Sequence, residues 1–267
     1  MIAQLDPPIR AVILDMDGVL WAGKQALIDI PAAFQKMKDL DLKVILATNN
    51  ATQTAAQFVE KVRSFGVELG PEQIINSPMA VADILEQRFP GGGPVYIFGE
   101  EGIRTTLKEH GYYHAEKDVL AVVVGLNRQA TFADFCAATS LIRGGAPFIG
   151  TNPDNTFPQA NGTVIPGGGA FLAFFEASTE VKPTIAGKPF PFLFNLAIKR
   201  LSIRPQQILA VGDRLDTDIV GARKAGCRTG LVLSGASKLE DLESFSPWPD
   251  LVAMDLMAML TADVLIS

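Results

Sequence analysis

The feature that most restricts the fold of this chain is a series of short apolar runs, each ending at a polar residue or a glycine. They cover residues 11–15, 44–48, 95–99, 121–125, 208–213 and 230–234. They are rich in Val, Ile and Leu and lack polar alternation, the pattern of strands covered on both faces. Helical periodicity fills the gaps. Residues 31–42 place Phe34, Met37 and Leu40 on one face behind a first-turn proline. Residues 55–65 space Phe58, Val59, Val62 and Phe65 in the same way, and Gly66 is placed to end that helix. Residues 190–201 and 217–225 supply two more helices, the latter stopped by Gly226. Strands alternating with helices predict an α/β fold with a doubly wound parallel sheet.

In such sheets functional groups gather beyond the carboxyl ends of the strands. This is where the unusual residues of the chain fall: Asp15 and Asp17 after the first run, Thr48, Asn49 and Asn50 after the second, Asp213, Asp216 and Asp218 after a later one. The middle reads as a second α/β unit inserted into the first, from about 79 to 181. A Gly91–Gly93 loop opens it, and it contains a turn-rich stretch over residues 151–169.

Composition excludes several classes. With 48% hydrophobic and 19% charged residues among 267, the chain is globular and long enough to bury a core without staples. A net charge of −6 argues against a nucleic-acid surface, which needs clustered Lys and Arg. Cys136 and Cys227 form no CxxC pair, so neither structural zinc nor a disulfide framework is expected. No run approaches the roughly 18 apolar residues of a membrane helix, and residues 1–10 contain no signal-peptide core. The expectation is a cytoplasmic protein that binds no membrane.

The polar residues point to chemistry with different force. Two carboxylates at Asp15-Met16-Asp17-Gly18 repel each other unless a cation compensates. Gly18 lets both approach one small volume, one as nucleophile and the other as acid and base. For a lone DxD, an exposed acidic turn is the favoured account. The run Gly212-Asp213-Arg214-Leu215-Asp216-Thr217-Asp218 is a second acidic loop, and one or two ligands from each loop suit Mg²⁺. For Asp216, capping the next helix is the favoured account, whereas Asp218 suits orienting a metal ligand. Thr48, Asn49 and Asn50, between a strand and a helix, can seat a phosphate or simply cap. Lys188 can offset the carboxylates and a transferring phosphoryl group, with Lys182 as a competitor. His110 and His114, separated by Gly111, read as surface residues. Trp21 serves a pocket mouth or core packing equally, and Cys227 reads as a buried apolar side chain.

Taken in order, these pieces resemble the haloacid dehalogenase (HAD) superfamily of phosphatases. The resemblance rests on Asp15–Gly18, on Thr48 in Ala-Thr-Asn-Asn, on Lys188 in Gly-Lys-Pro and on Gly212–Asp218. Thr151-Asn152-Pro153-Asp154, Phe157-Pro158 and Pro166-Gly167-Gly168-Gly169-Ala170 look like the cap signature of the NagD-like, or p-nitrophenyl phosphatase-like, subfamily. It implies a Rossmann-like core over 1–78 and 182–267 with an inserted α/β cap domain over 79–181. It implies a phosphoric monoester hydrolase in which Asp15 attacks phosphorus and Asp17 protonates the leaving oxygen and then activates water. Thr48 and Lys188 hold the phosphoryl group, beside Asn49 and Asn50. Mg²⁺ is carried by Asp15, the Asp17 backbone carbonyl and Asp213, with Asp218 in support. Arg214 stands where many relatives have Asn, so that loop's backbone contacts are expected to differ. The partner implied is a small phosphorylated metabolite, and relatives suggest a homodimer through the cap. The alternatives are a phosphotransferase or mutase using the same aspartyl phosphate, and a non-catalytic phosphometabolite-binding protein.

Overall fold

The computed structural model describes residues 5–158, 162–261 and 264–266. They form two compact units: Met1–Thr48, Ala55–Ile75 and Lys188–Ser267 make the first, Asn49–Thr54 and Asn76–Gly187 the second. The divisions at 75/76 and 187/188 differ from the expected 78/79 and 181/182. Local bonding explains the shift. Asn76 Nδ2 donates to Gln53 O and Ser77 Oγ to Asn49 O, tying the 49–54 loop to the helix Ser77–Arg88. The strand Thr184–Ile185 pairs with Phe148–Gly150, which keeps it in the second unit.

The first unit is built on a seven-stranded sheet in the order Val264–Ile266, Leu251–Ala253, Arg228–Val232, Ile208–Gly212, Ala11–Leu14, Lys43–Thr48, Ile74–Asn76. The pairs from Leu251–Ala253 across to Lys43–Thr48 are parallel, and the Val264–Ile266 edge is antiparallel. The central strands are buried from end to end, as their unbroken apolar runs require. Asp29 caps the helix Ile30–Asp39 by accepting the Ala32 amide, and Pro31 occupies its first turn. That helix buries Ile30, Ala33 and Met37; Leu40, expected on the buried face, lies past its end and is exposed. The helix Ala55–Ser64 buries Phe58, Val59 and Val62 and stops at Gly66, whose φ of +85° suits glycine. The helix Phe192–Leu201 follows Lys188. Residues 217–225 are not one helix: a wide π-type turn, Leu215–Ile219, leads into the helix Val220–Lys224.

The second unit repeats the α/β plan. Its sheet runs Thr184–Ile185, Phe148–Gly150, Val122–Val124, Gly93–Phe98, Tyr112–His114, every pair parallel. An aromatic cluster centred on Phe98 and Phe175 fills the space under the helices Phe132–Arg143 and Gly168–Thr179. Gly93, expected in a loop, opens a strand. The turn-rich stretch is a hairpin, Thr156–Pro158 against Val164–Pro166, followed by the helix from Gly168. No helix among the described residues is long and apolar enough to cross a membrane.

Candidate active site

Register carries the acidic residues to one end of the first unit's sheet. Leu14 pairs with Leu46 on one side and Val211 on the other, so Asp15, Thr48 and Asp213 leave three adjacent strands at nearly one level. Consecutive connections depart to opposite sides of the Ala11–Leu14 strand, which makes this a topological switch point.

Lys188 is the hub. It is 2% exposed, and its Nζ donates to Asp15 Oδ1 at 2.6 Å, to Asp218 Oδ1 at 2.7 Å and to the Ala47 carbonyl at 2.8 Å. The two carboxylates hold its pKa above the ordinary lysine value despite burial, which acts the other way. Lys182, the competing lysine, is exposed and belongs to the second unit. Asp218 Oδ2 accepts the Arg214 amide at 3.1 Å, so Asp218 spans the ammonium and its own loop. Asp213 accepts the Ala236 amide at Oδ2, 2.7 Å away, and its carbonyl accepts the Ser237 amide. Two glycines make room for it: a Cβ on Gly18 would fall 2.2 Å from Asp213 Oδ2, and one on Gly235 2.1 Å. Thr48 is buried at its strand end, beside the carbonyl that Lys188 uses.

Asp17 stands apart. Its side chain is half exposed, and Asp17 is not among the carboxylates that cluster with Asp15. Its neighbours are Lys61, 4.0 Å away, the Trp21 indole and the Gly23 backbone. Burial lifts its pKa, and the Lys61 ammonium opposes that rise. Trp21 is fully buried and stacks on Phe65, so it packs the core while its indole borders the acidic turn. Asn49 and Asn50 are placed in the second unit: Asn49 Nδ2 donates to Asp154, and Asn50 Oδ1 accepts from the Thr52 amide and hydroxyl. They lie on a six-residue loop, Asn49–Thr54, rather than at the start of the helix Ala55–Ser64. Asp216 points outward and pairs with Arg214, and Arg214, at the start of the turn, makes no side-chain cap bond. Cys227 is buried, with its thiol pushed up to about 12. His110 and His114 lie at the surface, His114 with its Nδ1 turned inward to accept the Ile97 amide.

The sequence reading missed the segment Ser234–Ser237 and Lys61. Ser234 Oγ donates to the Gly18 carbonyl, the Ala236 amide binds Asp213, and Ser237 Oγ accepts the Leu215 amide. Small residues after an apolar run were the available signal, but only the fold puts them around Asp213.

Asp15, Asp213 and Asp218 each offer a carboxylate oxygen within 4.8 Å of the others. At that separation each pair of charges repels by about 3–4 kcal/mol at an effective dielectric of 20. One ammonium against three carboxylates leaves two negative charges uncompensated. Burial first, then Asp218 and Asp213, drives the Asp15 pKa well up, with Lys188 opposing. Burial and Asp218 push Asp213 up to about 6, against the Ala236 amide and Lys188. A buried set of hard oxygen donors carrying excess negative charge fits a small divalent cation.

Sequence comparison agrees with this geometry. A family model described as haloacid dehalogenase-like hydrolase matches residues 12–113, and a HAD-hydrolase-like model matches residues 185–259. An acid sugar phosphatase of Staphylococcus aureus is 35% identical over 251 residues, covering 92% of this chain and 95% of that protein. The chain belongs to the haloacid dehalogenase-like hydrolases. This hydrolase also superposes on the p-nitrophenyl phosphatase from Archaeoglobus fulgidus with a TM-score of 0.89 at 30% identity, over 95% of this chain and 99% of that one. A glycerol phosphate phosphatase from Mycobacterium tuberculosis, solved in complex with magnesium, gives a TM-score of 0.86 at 30% identity, over 94% and 76% of the two chains. Like these haloacid dehalogenase-like relatives, the protein is a phosphoric monoester hydrolase.

Proposed function

We propose that this phosphatase cleaves small phosphate monoesters by forming a phosphoaspartate on Asp15, with Mg²⁺ as its metal. One observation carries the reading: the buried Lys188 ammonium joins Asp15 to Asp218 at the strand ends, with Asp213 in the same cluster. A phosphate dianion approaching a carboxylate needs several charges neutralised first. Asp15, the Asp17 carbonyl and Asp213 would hold the metal, which when bound supplies positive charge against the carboxylates and the phosphoryl oxygens.

The residues of the chain do the rest. Lys188 occupies Asp15 Oδ1, which leaves Oδ2 to attack phosphorus in line with the ester oxygen. As the P–O bond breaks, Asp17 gives its proton to the leaving oxygen. It then takes a proton from the water that attacks the phosphoaspartate, which regenerates Asp15 and releases inorganic phosphate. Asp218 keeps Lys188 aimed, and the Thr48 hydroxyl steadies the phosphoryl group.

The names of the relatives support sugar phosphates and glycerol phosphate as the first monoesters to try. Homodimer formation through the second unit belongs to the same reading, supported by Phe132, 79% exposed, and Phe174, 43% exposed, on its two aromatic helices.

The deciding experiment acid-quenches the enzyme during turnover with Mg²⁺ and maps the phosphorylated peptide. The label is expected on Asp15, with inorganic phosphate released in the absence of any acceptor. Asp15→Asn is expected to lower kcat by at least about 10³-fold with the fold intact. Full turnover by that variant, or in excess EDTA, contradicts the proposal.

A further inference from the structure

Lys61 has no part in the scheme so far, yet its placement is constrained on two sides. It lies near the end of the helix Ala55–Ser64, with its side chain 24% exposed. Its Nζ is 4.2 Å from the centroid of the Trp21 ring, and Trp21 is fully buried and stacked on Phe65 with centroids 5.4 Å apart. A lysine stem on an aromatic face fixes where the ammonium can go, and the ring's negative face favours the cation there. The ring itself is anchored to the acidic turn. The Gly18 amide donates to the Trp21 carbonyl at 2.8 Å, and Asp17 and Trp21 form a bridge. Ring, ammonium and Asp17 are therefore held as one assembly.

The ammonium is 4.0 Å from Asp17 Oδ1. That distance attracts the carboxylate without engaging it in a hydrogen bond, which is possible only up to about 3.2 Å for N–H···O. An acid–base carboxylate needs this compromise: a fixed direction, with its oxygens available to the leaving group and then to water. An ordinary exposed ion pair contributes little to stability, so a structural account leaves Lys61 only the covering of Trp21, where an uncharged stem would lose just the ring's attraction for the cation.

We infer that Lys61, seated on Trp21, is a positioning residue for Asp17, acting beside the Trp21 indole and the Gly23 backbone to hold its carboxylate toward the leaving group and away from the Asp15–Asp213–Asp218 cluster. The assignment rests on the acid–base role proposed for Asp17. Proton donation matters most when the departing group is an alkoxide and least when it is an acidic phenol that leaves as a stable anion. Comparing leaving groups therefore separates positioning of the acid from general damage. The value of kcat/KM reports the steps through leaving-group departure, so a slow second step does not mask the effect.

The test measures kcat/KM for glycerol phosphate and p-nitrophenyl phosphate in wild type, Lys61→Met, Lys61→Arg and Asp17→Asn, with circular dichroism to confirm folding. Methionine keeps the apolar stem on Trp21 and removes the charge. Lys61→Met is expected to lose about 10- to 100-fold on glycerol phosphate, a fraction of the 10²–10⁴-fold due to general acid catalysis. Its loss on p-nitrophenyl phosphate should be at least about ten times smaller, and Lys61→Arg should recover most of the difference. Equal losses on both substrates, or an arginine variant as impaired as the methionine one, overturn the assignment. If Asp17→Asn discriminates between the substrates and Lys61→Met does not, only the role of Lys61 fails. If Asp17→Asn does not discriminate either, the acid–base role of Asp17 fails with it.

Discussion

Asp213 sits in a gap whose width is set by two residues without side chains. Gly18 has a φ of +84°, where an L side chain costs about 1 kcal/mol, and its missing Cβ leaves room for the Asp213 carboxylate. Backbone strain at that level is tolerable; displacement of a metal-ligand candidate by an ångström is not, since misplacements of that size cost about 10²-fold in rate. Gly18→Ala is therefore expected to lower kcat by about 100-fold or more while the far-UV circular dichroism stays that of the wild type. An active Gly18→Ala enzyme would mean that Asp213 tolerates a different position. The same reasoning explains what the motif concealed. Gly18 was legible as a turn residue, but the carboxylate it accommodates lies at Asp213, and the Ser234 hydroxyl that binds its carbonyl is 216 residues away in sequence.

Among elements, the wide turn Leu215–Ile219 shows how local pattern is overruled. The helical spacing from 217 onward predicted a regular start, yet the Asp218 and Ile219 amides both reach back to the Arg214 carbonyl. The widened turn puts Asp218 on Lys188, an ion pair inside the first unit that outweighs ideal helix geometry; π-type turns recur at functional sites for this reason. At the edge of the second unit's sheet, the strand Tyr112–His114 closes on Gly93–Phe98 partly through a side chain: His114 Nδ1 accepts the Ile97 amide at 3.0 Å. Burial, with Arg104, holds that imidazole below its ordinary 6.5, while Glu116 and Asp134 pull it up. A folded pKa below the unfolded one means that the unfolded chain takes the proton first. The contribution of His114 is thus whole above about 6.5 and is lost as the pH falls through the lower folded value. Protection of the Ile97 amide from hydrogen exchange, corrected for intrinsic rates, is expected to drop between pH 7 and pH 5. His114→Asn, which keeps an acceptor and removes the titration, should flatten that dependence; an unchanged slope would show that another group is responsible.

On the scale of the whole molecule, three clustered carboxylates with one ammonium paired to two of them are a standing electrostatic cost to the first unit. On the proposed reading Mg²⁺ binds the folded chain and not the unfolded one. A concentration of 100 times Kd then adds about 2.7 kcal/mol, or a rise of about 5–10 °C in the first unit's Tm at about 2–4 °C per kcal/mol. Asp213→Asn should reduce that rise markedly in scanning calorimetry, and an identical rise in the variant would place the metal elsewhere. The sequence by itself determined the α/β class, the strand ends that carry the chemistry, and Asp15, Thr48, Asp213 and Lys188 as residues to watch, because strand burial and turn formation are local and leave a pattern in neighbouring residues. Tertiary structure alone decided that Lys188 rather than Lys182 meets Asp15, that Asp218 braces it while Asp216 faces outward, that Asn49 and Asn50 bond within the second unit, and that Ser234–Ser237 and Lys61 surround the acidic turns. Those outcomes depend on which strands lie side by side and in what register, and pairing between distant segments leaves no periodicity in the chain that a reading of neighbours can detect.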